Sequence, residues 1–160
     1  MTTRSVRRYF CCVANKSITA KIDEPPTWKN TKPFIPPLKQ GIVIKVYDGD
    51  TITIASKLPF QDSPMYRWSV RLNRIDTPEM KSKDPALKQI AQKAQQVLSD
   101  QILGKTIQLE KVGTEKFGRV LADIIFEGNN LNDWMIEQKL AYEYQGSTKL
   151  TEAQQLEILS

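Results

Sequence analysis

GIVIKVYDGDTITIA, residues 41–55, is the stretch from which the fold can be read. Ile42, Val43, Ile44 and Val46 stand before the Asp48-Gly49 pair, and Thr51 to Ile54 stand after it. β-Branched residues suit a pleated surface, and Thr-Ile-Thr-Ile alternates with the period of two that sends one face inward. An Asp-Gly pair between two such runs predicts a hairpin.

Further along, RWSVRLNRI (67–75) alternates again, with Trp68, Val70 and Leu72 on one face and Arg71 on the other. Arg74 falls on the apolar parity, so the strand is expected to bend or end before it. DPALKQIAQKAQQVLSDQILG (84–104) reads as a helix. Asp84 suits the N-cap, Pro85 the first turn and Gly104 the C-cap, and Leu87, Ile90, Ala91, Ala94, Val97, Leu98 and Ile102 make one apolar stripe. Two strands follow, KTIQLEKV (105–112) and RVLADIIF (119–126), then a turn at EGNN (127–130). A short helix is expected from Asn132 to about Ala141, capped by Asn130 or Asn132. A last one is expected at 151–159, where Thr151 and Gln154 make a capping box. Three strands, a helix and two more strands give an α+β, mainly β fold: a five-stranded OB-fold barrel with about three helices. Such a fold does not by itself give a function.

The chain has 160 residues, 40% hydrophobic and 26% charged, which fits one soluble domain with its own core. No apolar run approaches a membrane span. The apolar patch FCCVA behind the basic start is too brief for a secretory leader, so an intracellular, soluble protein is expected.

Residues 1–47 hold nine Lys/Arg and two Asp/Glu, while the remainder holds fourteen and sixteen, so the basic surplus lies in the front of the chain. Residues 1–38, with Pro25-Pro26, Pro33 and Pro36-Pro37, read as a basic extended arm leading to a domain at 39–160. Such an arm suits nucleic acid or an anionic membrane. Cys11 and Cys12, close to Arg4, Arg7 and Arg8, offer acylation sites for membrane tethering; two ordinary thiols are the plainer expectation. Histidine is absent from the sequence. That excludes Ser-His-Asp and Cys-His nucleophile systems, His-ligated zinc and a histidine general base.

Three segments carry candidate chemistry: DGDT (48–51), RLNRIDTPE (71–79) and KFGR (116–119). Each alone is most simply a turn or a charged surface loop. Two apparent motifs fail. Gly104-Lys105-Thr106 lacks the glycine that a phosphate-binding loop needs five positions earlier, where Ser99 stands. Asp48 to Thr53 starts like a calcium loop but puts Ile52 and Thr53 where an oxygen ligand and a glycine belong.

Taken in order, D-G-D-T, R-x-x-x-x-D-T-P-E, G-R-x-L-A-x-I and N-x-x-x-x-x-x-x-L-A resemble the staphylococcal (micrococcal) nuclease family, or thermonucleases, from about Val43 to Ala141. The resemblance implies that Asp50, Asp76 and the backbone carbonyl of Thr77 hold one Ca²⁺. It implies that Glu79 holds a water in the outer shell and that Arg71 and Arg119 grip the scissile phosphate. It also implies a sugar-nonspecific endonuclease acting on DNA and RNA, single-stranded or locally melted, and leaving 3′-phosphate ends. The residue chemistry agrees: Ca²⁺ takes carboxylate, carbonyl and water oxygens, and the guanidinium fork matches phosphate.

The chain departs from the family pattern in three places. It is shorter after the second helix, where Tyr144, rather than Tyr142, is the preferred residue to stack on a nucleotide. The loop Met80–Lys83 is short, and the arm has no counterpart. A monomer with no small-molecule cofactor is expected. The rival reading is a non-catalytic OB-fold nucleic-acid-binding or scaffold module, against which the retained carboxylates argue.

Overall fold

A computed structural model describes residues 25–160 apart from Lys116 and Ser147. Cys11, Cys12 and most of the expected arm therefore lie outside the described residues, as does Lys116 of the KFGR segment. Residues 25–33 belong to a unit of their own. Its one described turn is held by Thr27 N–H donating to Asn30 Oδ1 at 2.6 Å.

The second unit, Phe34–Ser160, contains the barrel. Its strands are β1 (Gln40–Val46), β2 (Thr51–Ser56), β3 (Tyr66–Leu72), β5 (Thr106–Thr114) and β6 (Val120–Phe126), with helices α1 (Pro85–Ile102), α2 (Leu131–Glu137) and α3 (Glu152–Leu159). Three two-residue strands complete the order: β4 (Ile75–Asp76), β7 (Asn129–Asn130) and β8 (Tyr142–Glu143). The sheet runs β3-β2-β1-β5-β6-β7 and closes where β3 pairs in parallel with β6, Val70 opposite Val120. This is the expected five-stranded OB-type barrel, closed by the β3–β6 pairing.

Two irregularities let the strands bend enough to close. One falls between Val43 and Lys45 in β1, which is why Ile44 and Lys45 are both exposed despite the alternating sequence. The other lies between Glu110 and Gly113, where Lys111 takes a φ of 48° and its ammonium reaches Asp123 Oδ2 at 2.8 Å.

The core holds Val43, Ile52, Ile54, Val70, Leu72, Ile107 and Ile124, each fully buried, with α1 contributing Ala94, Leu98 and Ile102. Full burial of one such aliphatic side chain stabilises by about 1.5–3 kcal/mol. Leu38, at 3% exposure, joins them from ahead of β1.

α1 begins as its sequence predicts. Asp84 accepts from the N–H groups of Ala86 and Leu87, and Pro85 sits where its missing N–H costs nothing. Its cap is Leu103, with Gly104 next at φ 76° donating its N–H to the Val43 carbonyl. α3 carries the expected capping box at Thr151 and Gln154.

Three expectations are corrected. β5 runs on to Thr114, because the bulge at Lys111 absorbs the break expected at Val112–Gly113. The turn expected over 127–130 is confined to Glu127 and Gly128, both at positive φ, and Asn129–Asn130 pairs back onto β6. α2 stops at Glu137 rather than near Ala141, since Lys139 adopts φ 54° and the chain reverses there. As expected, β3 ends before Arg74, whose φ is 63°.

Candidate active site

Strand register decides which side chains meet. Thr51 faces Arg71 across β2 and β3, so Asp50, at the close of the hairpin loop, lies beside Arg71. The Asp50 carbonyl accepts from Leu72 N–H at 2.8 Å, which fixes it there. β4 pairs with β8 so that Asp76 stands opposite Tyr142. Arg119 precedes β6, which runs alongside β3.

Gly49 completes the hairpin loop for a reason other than turn geometry. It has no positive φ, but a Cβ there would stand 2.8 Å from Ala94 Cβ and 2.9 Å from Thr77 Cγ2. The glycine lets the loop carrying Asp50 seat between α1 and the segment carrying Thr77.

One cleft of about 390 Å³ is lined by Asp50, Arg71, Asp76, Thr77, Glu79, Arg119 and Tyr144, so the structure brings together every site residue expected from sequence. Asp50 and Asp76 are buried, at 4% and 1% exposure, and their carboxylates flank one guanidinium. Arg71 Nη1 donates to Asp50 Oδ2, while Nη2 donates to Asp76 Oδ1 at 2.7 Å and to the Ile75 carbonyl at 3.1 Å. Thr51 Oγ1 donates to Asp50 Oδ1 at 2.7 Å and accepts from Arg119 Nη1 at 3.3 Å. Glu115 holds Arg119 through two hydrogen bonds. Tyr144 lies with its ring centroid 5.9 Å from the Arg71 guanidinium carbon.

The two buried carboxylates differ electrostatically. Burial pushes Asp50 up to about 7, helped by the nearby Asp48 charge and opposed by Arg71 and Thr51. Burial would also raise Asp76, but the Tyr142 hydroxyl, Arg71 and Lys149 outweigh it and hold Asp76 below the usual carboxylate range. The charges of Asp50 and Asp76 hold Arg71 above its already high value despite burial.

Sequence reasoning missed three participants. Lys149 Nζ lies 3.2 Å from Asp76 Oδ2 and 2.9 Å from Glu79 Oε1. Glu115 fixes Arg119. Asn132, read as a possible cap, is fully buried: its Oδ1 accepts from Ile124 N–H at 3.0 Å and its Nδ2 donates to the Asn73 carbonyl at 2.8 Å. The cap of α2 is Asn130. Tyr142 is a core residue at 2% exposure whose hydroxyl donates to Asp76 Oδ2 at 2.5 Å. Arg74, which no motif claimed, pairs with Asp123 and Asp133.

The donor set suits a hard divalent ion. Asp50 and Asp76 flank one guanidinium, and every candidate ligand atom is oxygen, which fits Ca²⁺ or Mg²⁺ and not a thiolate- or imidazole-seeking metal. Among the described residues no group of three or more His, Cys, Asp or Glu side chains is placed to hold a metal ion by itself. An ion held by Asp50, Asp76 and the Thr77 carbonyl would have fewer protein oxygens than such ions take, leaving positions for water and substrate.

Two arginines and two buried carboxylates thus share one cleft on an OB-type barrel. The model of the staphylococcal nuclease homologue family matches residues 69–159, more than half of the chain, and the chain belongs to that family. The matched segment contains every site residue expected from sequence except Asp50, which the hairpin supplies.

The chain is 33% identical over 102 residues to an uncharacterized endonuclease of Haemophilus influenzae, covering 64% of this chain and 51% of that protein. It is 29% identical over 135 residues to an uncharacterized protein of Bacillus anthracis, covering 81% of this chain and 59% of that protein. The matches thus span little more than half the length of these relatives. No helix among the described residues is long and apolar enough to cross a membrane.

Proposed function

We propose that this nuclease-family chain is a Ca²⁺-dependent, sugar-nonspecific endonuclease that hydrolyses phosphodiester bonds of DNA and RNA and leaves 3′-phosphate ends. The observation that carries the reading is the convergence of Asp50 and Asp76 on the Arg71 guanidinium, in a cleft that Arg119 also enters.

Asp50, Asp76 and the Thr77 carbonyl would hold the ion. When bound, Ca²⁺ supplies a Lewis acid that draws on a phosphate oxygen and offsets the charge building there. Arg119, oriented by Glu115 and Thr51, donates to the non-bridging oxygens, and Arg71 adds its fixed positive charge from between the two carboxylates. Glu79 is exposed enough to meet solvent. It orients the attacking water and takes up its proton as the new O–P bond forms; the bond to the 5′-oxygen breaks and that oxygen takes a proton from solvent to leave as the 5′-hydroxyl.

A larger cavity of about 700 Å³ shares Arg71, Glu115 and Tyr144 with the cleft and gives the nucleotide beside the scissile phosphate room to lie against Tyr144. Contacts made mostly to phosphate explain action on both sugars, because they carry no sequence information.

The test is cleavage of single-stranded DNA and of RNA by the purified full chain in Ca²⁺, in Mg²⁺ and in chelator. Cleavage of both substrates with Ca²⁺ and loss with chelator are expected. Binding of both nucleic acids without cleavage in any metal would instead assign the chain to the non-catalytic OB-fold modules.

A further inference from the structure

We propose that Lys149 is a resident cation of the candidate metal site: its ammonium sits on Asp76, bridged to Glu79, and must leave Asp76 before a divalent ion binds there. This inference rests on the metal-dependent reading above and concerns what sets the ion's affinity.

Both oxygens of Asp76 are engaged. Oδ1 accepts from Arg71, and Oδ2 accepts from the Tyr142 hydroxyl and lies 3.2 Å from the Lys149 ammonium. The same ammonium lies 2.9 Å from Glu79 Oε1, so it bridges a buried carboxylate and an exposed one.

The partners of Asp76 are not equally removable. Arg71 is buried, at 8% exposure, inside β3, and Tyr142 is buried in β8. Lys149 is about half exposed and stands in the irregular segment between β8 and α3. Its flexible four-carbon stem can swing a point charge aside without disturbing a strand. An ammonium and a divalent ion repel one another, and each needs the carboxylate lone pairs the other uses. Occupancy by one therefore excludes the other, and Ca²⁺ affinity is reduced by the free energy of breaking the two Lys149 contacts.

A scaffolding lysine predicts the opposite. If Lys149 only held Asp76 and Glu79 in place for the ion, its removal would loosen them and weaken binding.

The experiment is calorimetric titration of Ca²⁺ into the metal-free full chain, with nucleic acid absent, for wild type, Lys149→Met, Lys149→Arg and Asp50→Asn. Asp50→Asn is expected to lose Ca²⁺ binding. Lys149→Met is expected to bind about five- to tenfold more tightly than wild type, the scale of two partly exposed ion pairs. Lys149→Arg is expected to stay close to wild type, since it keeps the charge.

Unchanged or weaker binding by Lys149→Met overturns the inference while leaving the metal site standing, provided Asp50→Asn loses Ca²⁺. If Asp50→Asn binds as wild type does, the metal site itself is wrong and the inference goes with it. If neither wild type nor Lys149→Met binds Ca²⁺ at millimolar concentration, the inference also fails.

Discussion

Glu115 holds Arg119 in a two-point grip, accepting from Nε at 2.6 Å and from Nη2 at 2.9 Å. The two residues bracket the loop between β5 and β6, and the Glu115 N–H also donates to the Arg119 carbonyl at 2.9 Å. The third guanidinium nitrogen, Nη1, reaches Thr51 and so connects Arg119 to Asp50. An arginine fixed this way loses little freedom when it meets a phosphate.

Arg119→Ala is therefore expected to slow cleavage by about a hundredfold or more, with the circular dichroism spectrum unchanged. Glu115→Gln is expected to slow it by about tenfold, mainly in kcat, because the arginine remains but its orientation is lost. Wild-type turnover in Arg119→Ala removes that residue from the mechanism.

Asn132 ties three parts of the fold together: α2, the β6 strand at Ile124 and the turn at Asn73. Asn132→Ala leaves buried backbone groups without partners and is expected to cost about 2–4 kcal/mol. A lower urea midpoint with an unchanged slope is the expected readout. An unaltered midpoint means that water replaces the side chain.

Gly49→Ala tests the close approach of the hairpin loop to α1 and Thr77. The added methyl group meets Ala94 Cβ and Thr77 Cγ2 at under 3.0 Å, so backbone must shift, at a cost of about 1–3 kcal/mol. Because the shift moves Thr77 relative to Asp50, Ca²⁺ affinity measured by titration is expected to fall as well. A variant as stable as wild type with unchanged Ca²⁺ affinity refutes that coupling.

Asp123 supplies the pH dependence that lies outside the candidate site. It is fully buried; burial alone would raise its pKa, but the Lys111 ammonium and the Arg74 guanidinium prevail and lower it. A carboxyl lowered in the folded state contributes stability that is fully present above its unfolded value and is lost as pH falls through the folded one. The stability gap between wild type and Asp123→Asn is expected to be largest near neutral pH and to shrink on acidification below about pH 4. A gap independent of pH between 7 and 3, read by urea unfolding, would show that packing and not charge sets it.

The elements legible in the sequence were those encoded by neighbours in the chain. The β1–β2 hairpin, the Asp84–Pro85 start of α1 and the Thr151–Gln154 box each depend on contacts within a few residues. The end of β3 before Arg74 was legible because a charge on the apolar parity cannot continue a half-buried strand. β4 and β8 were not legible: two residues each give no periodicity, and their pairing of Asp76 with Tyr142 joins distant parts of the chain.

The candidate site was legible through its three motifs, but its supporting contacts were not. Lys149 carries no local pattern, and Glu115 looks like any turn acid until it is seen on Arg119. Asn132 belonged to the helix motif, yet a buried bridging asparagine and a helix cap look the same in sequence. An asparagine at a helix start with a second one two residues earlier, as at Asn130, was the one available hint that the cap was already supplied.

The most direct test of the central claim is the Ca²⁺ dependence of cleavage of an end-labelled single-stranded DNA, compared between wild type and Asp76→Asn, with the fragment ends identified. For wild type, the expected rate rises and saturates with Ca²⁺ and vanishes in chelator, with fragments ending in 3′-phosphate. For Asp76→Asn, the expected rate is at least about a hundredfold lower, on the scale of losing a principal electrostatic group from such a site. Equal cleavage by the two proteins, or wild-type cleavage that persists in chelator, would contradict it.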